Sequence, residues 1–259
     1  MELNNAQLDA EVIALDARRN GKQRTPLLIH SKNFIADFAP PDYLIEGIAR
    51  KRFLYSFTGQ TGSGKTAICL RIAAHVALGL SLANREIDPG RVLYLAGENP
   101  DDVRMRWIAM SERMGLDDAQ IYFIGGRILI SENLGHLRDE ALEIGGADLV
   151  VVDTSAAFFE ADDENDNTKM LAHAHLLRSL TGLPGAPCVI AACHPTKGAS
   201  NDNLIPRGGG AFLNEMDGNL VAKKTDSVVE VHWQGKFRGP DFAPIIFELE
   251  TASFGNPAR

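Results

Sequence analysis

The sequence is short of cysteine, of long apolar runs and of positive charge, and each shortage removes a class of function. Its three cysteines, Cys69, Cys188 and Cys193, are an odd number and fall in apparent core segments. That spacing suits neither a disulfide framework nor a zinc site, so a reducing cytoplasm is the expected compartment. No apolar stretch approaches the ~20 residues that span a bilayer, which argues against a membrane protein. The opening residues carry Asn, Gln, Asp and Glu instead of the charged-then-apolar pattern of a secretory signal. Acidic residues outnumber basic ones by 34 to 26, for a net charge of −8 and a pI near 5.4. This balance argues against a broad basic face for coating nucleic acid, although a few cations gathered in a channel would be compatible with it. There is no internal repeat and no low-complexity segment.

The 259 residues are enough for one large domain or two small ones, and 45% hydrophobic and 23% charged content is ordinary for a globular chain. Residues 1–32 are mostly polar, with Leu8, Val12 and Leu15 at helical spacing before a linker around Asn20–Arg24. They read either as a frayed terminus or as an arm that docks on a neighbouring subunit. Residues 33–250 read as one α/β domain, and 251–259 as a short polar tail. Strands are predicted at 53–58, 92–96, 120–124, 148–153 and 187–193, with helices at 65–80, 101–114, 134–144 and 167–181. Continuous apolar strands such as Leu149–Val152 predict a mainly parallel sheet covered by helices on both faces. After residue 210 the strands predicted at 220–224, 228–233 and 244–249 are joined by polar turns, which predicts an antiparallel extension of the same sheet.

The most informative segment is Gly59-Gln60-Thr61-Gly62-Ser63-Gly64-Lys65-Thr66. It follows an apolar strand, Phe53–Thr58, and opens a helix with apolar residues at Ile68, Leu70, Ile72, Ala73 and Val76. Strand, glycine loop and helix together form a P-loop. Its glycines let backbone N–H groups turn onto phosphate oxygens, and the helix N-terminus adds a positive dipole end. Gly59 to Ala67 therefore form the expected ATP-binding segment. Lys65 would reach the β- and γ-phosphates, and the Thr66 hydroxyl would ligate Mg²⁺.

Other strand ends carry further chemistry. Ala147–Asp153 is an apolar strand ending in an acid, and Asp153 is the expected partner of Thr66 in holding Mg²⁺. Val92–Ala96 runs into Gly97-Glu98-Asn99, where Glu98 either polarises the attacking water or caps the helix that begins near Pro100. Asp101 and Asp102 already suit the capping role, which favours catalysis for Glu98. Cys188–Cys193 leads to His194-Pro195-Thr196-Lys197, where His194 is either a sensor of the γ-phosphate or a structural imidazole. The loop from Gly198 to Gly210 is rich in Gly, Ser and Asn and is expected to be mobile. Lys197 and Arg207 are its cations and the candidate phosphate-tracking residues for nucleic acid. Lys236 and Arg238 lie in a predicted turn, either as solvated charges or as fingers that complete an adjacent subunit's site.

Taken together, these motifs resemble the RecA-like P-loop ATPases, and most closely the RepA-type hexameric replicative helicases of plasmids and phages. The resemblance runs from about Asp42 to Leu249. Its discriminating feature is the order of Gly97-Glu98-Asn99, the acidic Asp163–Asn167 loop, His194–Lys197 and the Lys236-Phe237-Arg238 segment. It implies a catalytic glutamate at Glu98, a magnesium aspartate at Asp153, a sensor histidine at His194 and a trans-acting finger pair at Lys236 and Arg238. It also implies that the loops after Asp153 and His194 face the central channel of a homo-oligomeric ring, expected to be a hexamer.

Three functions follow. The first is a Mg²⁺-dependent ATPase that moves along and unwinds single-stranded DNA in replication. A primase or replication initiator would then come from another chain. The second is a regulatory or scaffold ATPase whose nucleotide state controls assembly with a protein partner. The third, a small-substrate phosphotransferase, is the weakest, because no segment with clustered arginines is found to cover the P-loop. Glu160, Asp162, Asp163, Glu164 and Asp166 would repel DNA phosphates if their loop faced a channel, and would instead suit an adjacent subunit or a metal.

Overall fold

The computed structural model describes residues 28–36, 38–40, 42–116, 118–164 and 166–251. The helix expected around Leu8, Val12 and Leu15, the linker at Asn20–Arg24 and the tail beyond residue 251 lie outside those residues. The chain divides into two units, residues 1–40 and 41–259. In the first, the helix α1 (Ser31–Ile35) is capped by the His30 ring, which accepts a bond from the Lys32 N–H, and it buries none of its residues.

The second unit opens with a small antiparallel pair, β1 (Tyr43–Ile45) and β2 (Ala49–Arg50). Its main sheet has eight strands in the order β10-β9-β8-β3-β7-β6-β4-β5. In chain order these are β3 (Leu54–Gly59), β4 (Val92–Ala96), β5 (Ile121–Gly125), β6 (Leu149–Asp153), β7 (Cys188–Cys193), β8 (Gly218–Thr225), β9 (Val228–Phe237) and β10 (Ile245–Glu248). The six from β8 to β5 run parallel, and β9 and β10 add antiparallel strands at the β8 edge. This is the mainly parallel P-loop NTPase core with antiparallel C-terminal strands. No helix among the described residues is long and apolar enough to cross a membrane.

Alternation along the strands sorts the core into two layers. Tyr55, Phe57, Tyr94, Val151 and Ile190 face α2 (Lys65–Leu78) and α3 (Pro100–Met114). Leu54, Leu95, Val150, Val152 and Val189 face α4 (Ile130–Glu143), α5 (Asn167–Ser179) and α6 (Gly209–Glu215). Local chemistry sets the helix ends. The Asn99 side chain accepts from the Asp102 N–H, Pro100 opens α3, and Asp101 and Asp102 occupy its first turn. α3 stops at Gly115, which takes the left-handed conformation with φ 67°.

Several elements differ from expectation, among them α4, α6 and β9. α4 begins at Ile130, earlier than predicted, because burial of Ile130 and Leu137 outweighs the helix-weakening Gly135. α6 occupies part of the glycine-rich stretch read as loop, anchored by buried Phe212 and Leu213. β9 extends through Phe237, so Lys236 sits in a strand and not in a turn.

Candidate nucleotide-binding site

Sheet order places the carboxyl ends of β3, β7, β6 and β4 side by side. The P-loop, His194, Asp153 and Glu98 therefore share one edge, the edge at which parallel sheets bind ligands. An open cleft of about 690 Å³ lies there, lined by residues 61–67, by Glu98, Asp102 and Arg106, by Asp153, Thr154 and His194, and by Lys224 and the segment 249–251. Its volume falls in the usual range for small-molecule sites.

The P-loop backbone needs its glycines. Gly64 has φ 85°, and a Cβ there would lie 2.7 Å from Leu249 Cδ1. A Cβ on Gly59 would lie 2.5 Å from Ser63 Oγ, an atom that is itself buried without a hydrogen-bond partner. Lys65 Nζ donates to the carbonyls of Gly59 (2.7 Å) and Gln60 (3.1 Å). Burial lowers the Lys65 pKa. Gly59 and Gln60 do not line the cleft. The Gln60 amide donates instead to the Ala199 carbonyl at 2.7 Å and ties the P-loop to the segment after β7.

Asp153 is 3% exposed. Its Oδ1 lies 3.3 Å from the Thr66 hydroxyl and its Oδ2 accepts a 2.7 Å bond from the Tyr94 hydroxyl. Burial raises the Asp153 pKa, while the bonds from Tyr94 and Thr66 act in the opposite direction. A hydroxyl and a carboxylate side by side are hard oxygen donors, which fits Mg²⁺. Glu98 accepts from Thr154 Oγ1 at 3.1 Å, and the cap of α3 is Asn99, so Glu98 does not fill the competing structural role. His194 borders the same cleft, and its pKa is lowered by burial and then by Lys65.

The nucleic-acid candidates are placed differently. Lys197 is exposed. Arg207 is paired with Glu164 at 2.6 Å, and its backbone N–H donates to the His194 carbonyl. The loop between them is pinned by the Thr196 N–H to Ile205 carbonyl bond and by a bridge between Pro195 and Pro206. The acids that precede it have partners within the chain. Glu160 accepts from the Ser131 N–H at the start of α4, Asp162 pairs with Lys169, and Asp166 caps α5. Among the described residues, no cluster of three or more His, Cys, Asp or Glu side chains could hold a metal ion. The acidic loop is thus a set of local caps and ion pairs.

Lys236 and Arg238 are not brought to this cleft. Register pairs Phe237 with Gly218, and Gly218 with Tyr55 near the amino end of β3. Both cations therefore stand at the opposite edge of the sheet from the P-loop. Lys236 bonds the Asn214 carbonyl, and its pKa is lowered by burial and then by Arg238. Arg238 approaches the buried Asp217 at 3.7 Å. Asp217 also accepts from the Leu54 N–H at 2.9 Å and from Arg178.

Sequence reasoning missed Tyr94, Thr154 and Lys224. Tyr94 reads as a core aromatic, and only sheet order reveals that its hydroxyl meets Asp153. Lys224 donates to the Gly62 carbonyl at 3.2 Å, because β8 lies beside β3. Thr154 directly follows the metal-aspartate candidate, and that adjacency was the one signal available.

A family model described as an AAA domain matches residues 22–200. That span takes in the glycine loop, Glu98, Asp153 and His194 and ends before β8. No curated protein sequence matches the chain.

Proposed function

Because the chain belongs to the AAA-domain family of nucleotide-hydrolysing P-loop ATPases, we propose that it is a Mg²⁺-dependent ATPase, assembled as a ring of the RepA type, that couples hydrolysis to movement on single-stranded DNA. The observation that carries this reading is the link between the nucleotide cleft and the loop after β7. Gln60 in the P-loop holds Ala199, and His194 both borders the cleft and accepts the Arg207 N–H.

The catalytic roles follow from position. The P-loop N–H groups and Lys65 would bind the triphosphate, and Thr66 and Asp153 would hold Mg²⁺. When bound there, Mg²⁺ would supply positive charge against the phosphate oxygens. Glu98 would orient a water for in-line attack and accept its proton, with Thr154 fixing the carboxylate. A neutral His194 would report the γ-phosphate to the segment 195–207. Lys236 and Arg238, at the far edge, would complete the cleft of the next subunit, and the resemblance to the RepA-type helicases implies that these subunits close into a ring of six.

The regulatory ATPase remains the second reading, favoured by one observation: Glu164 already neutralises Arg207, one of the two cations placed for DNA. ATP hydrolysis with Mg²⁺, measured with and without a long single-stranded oligonucleotide, separates the two. Severalfold stimulation supports the motor. Hydrolysis indifferent to DNA refutes it and favours a protein partner.

A further inference from the structure

The geometry points to Tyr94 as the positioning residue for the metal-binding carboxylate, a role that rests on the reading of the cleft as a Mg²⁺–nucleotide site. The two oxygens of Asp153 have different partners, Oδ1 facing Thr66 and Oδ2 held by the Tyr94 hydroxyl. The terminal torsion of an aspartate is broad, so a carboxylate at the end of a strand does not by itself keep one oxygen toward the metal. A 2.7 Å bond to Oδ2 removes that freedom and leaves Oδ1 beside the Thr66 hydroxyl.

The hydroxyl is itself fixed. Tyr94 is fully buried on β4, where Ala96 is opposite Asp153 and Tyr94 opposite Val151, so its side chain runs alongside the end of β6. Its ring packs on Phe123 at 5.4 Å, and Phe123 packs on Trp107 of α3 at 5.5 Å. The aromatic stack sets the ring, the ring sets the hydroxyl, and the hydroxyl sets the carboxylate. Supporting groups of this kind orient metal ligands and tune affinity without touching the metal.

The test is Tyr94→Phe in the full chain, which keeps the ring and removes only the hydroxyl. Binding of a fluorescent ADP is titrated at a series of Mg²⁺ concentrations. The half-saturating Mg²⁺ concentration should rise about tenfold, with Mg²⁺-free ADP affinity unchanged. A purely structural tyrosine would lower the melting temperature and leave the Mg²⁺ dependence alone, and that result overturns the assignment. In an Asp153→Asn background the same change should have no further effect on Mg²⁺ dependence, since the pathway through the carboxylate is already gone. If Tyr94→Phe fails to fold, 3-fluorotyrosine placed at position 94 keeps both ring and hydroxyl. Its fluorine resonance should shift when Mg²⁺ is added to the ADP complex, and an unmoved resonance overturns the role. Absence of any Mg²⁺-dependent nucleotide binding by the wild-type chain overturns the site itself. Intact binding with an insensitive Tyr94 overturns only this inference.

Discussion

The Arg207 guanidinium lies 2.6 Å from the Glu164 carboxylate and joins the loop after β6 to the loop after β7. The cation proposed for DNA contact is thus neutralised from within the chain, so a nucleic-acid phosphate would have to compete with Glu164 for it. Glu164→Gln should tighten binding of a single-stranded oligonucleotide at low salt by about fivefold, as for a partly exposed ion pair of ~1 kcal/mol. Arg207→Gln should weaken it. Fluorescence anisotropy at two salt concentrations checks both, and indifference of both variants removes this loop from DNA contact.

Lys65→Ala should lower the hydrolysis rate by at least ~100-fold, since a charge aimed at the developing phosphate negative charge is lost. A phosphate-release assay on the purified variant decides the matter. A Lys65→Ala protein with normal turnover would end the P-loop assignment.

Thr154→Val keeps the shape of the side chain and removes the 3.1 Å bond to Glu98. The turnover number should fall about tenfold, a fraction of what a positioned base contributes. Affinity for ADP, measured by equilibrium titration, should not change. A parallel loss of affinity would assign Thr154 to binding.

Arg238→Ala should be nearly inactive alone, and so should Glu98→Gln. Mixed subunits should recover activity, because some interfaces then join an intact Glu98 to an intact Arg238. Activity measured across mixing ratios tests this. Failure to recover in properly mixed assemblies would return Arg238 to its local role beside Asp217.

The His173 ring is stacked on Phe212 and edge-on to Phe159, and burial lowers its pKa to about 4. Between pH 6.5 and about 4 the unfolded chain takes up a proton at this position and the folded chain does not. The stabilisation is therefore complete above pH 6.5 and is lost as the pH falls, by about 3 kcal/mol in total. Urea denaturation from pH 7 to pH 4.5 should show a shallower decline for His173→Gln than for the wild type. Identical slopes would contradict a neutral buried imidazole.

The sheet core and the P-loop were legible because both are local. Continuous apolar runs such as Leu149–Val152 and the glycine spacing at Gly59–Gly64 state their structure within a few residues. Glu98 and Asp153 could be placed because each follows such a run directly. What could not be read depends on which strands are neighbours. Tyr94 belongs to the site only because β4 pairs with β6, and Lys224 only because β8 pairs with β3. The acids of 160–166 looked like an electrostatic problem because their partners Ser131, Lys169 and Arg207 come from other elements or a later turn. The glycines at 208–210 disguised α6 because local propensity was outweighed by burial of Phe212.

The sheet register holds Lys65 and Arg238 at opposite edges of the same rigid strand set. A single copy cannot fold these two charges onto one phosphate, so turnover that requires both obeys mass action in the protein itself. Specific activity should then climb with protein concentration until assembly is saturated. On the proposed trans role of Arg238, a linear chain of copies would always leave one cleft and one finger idle, and only closure would put every copy to use.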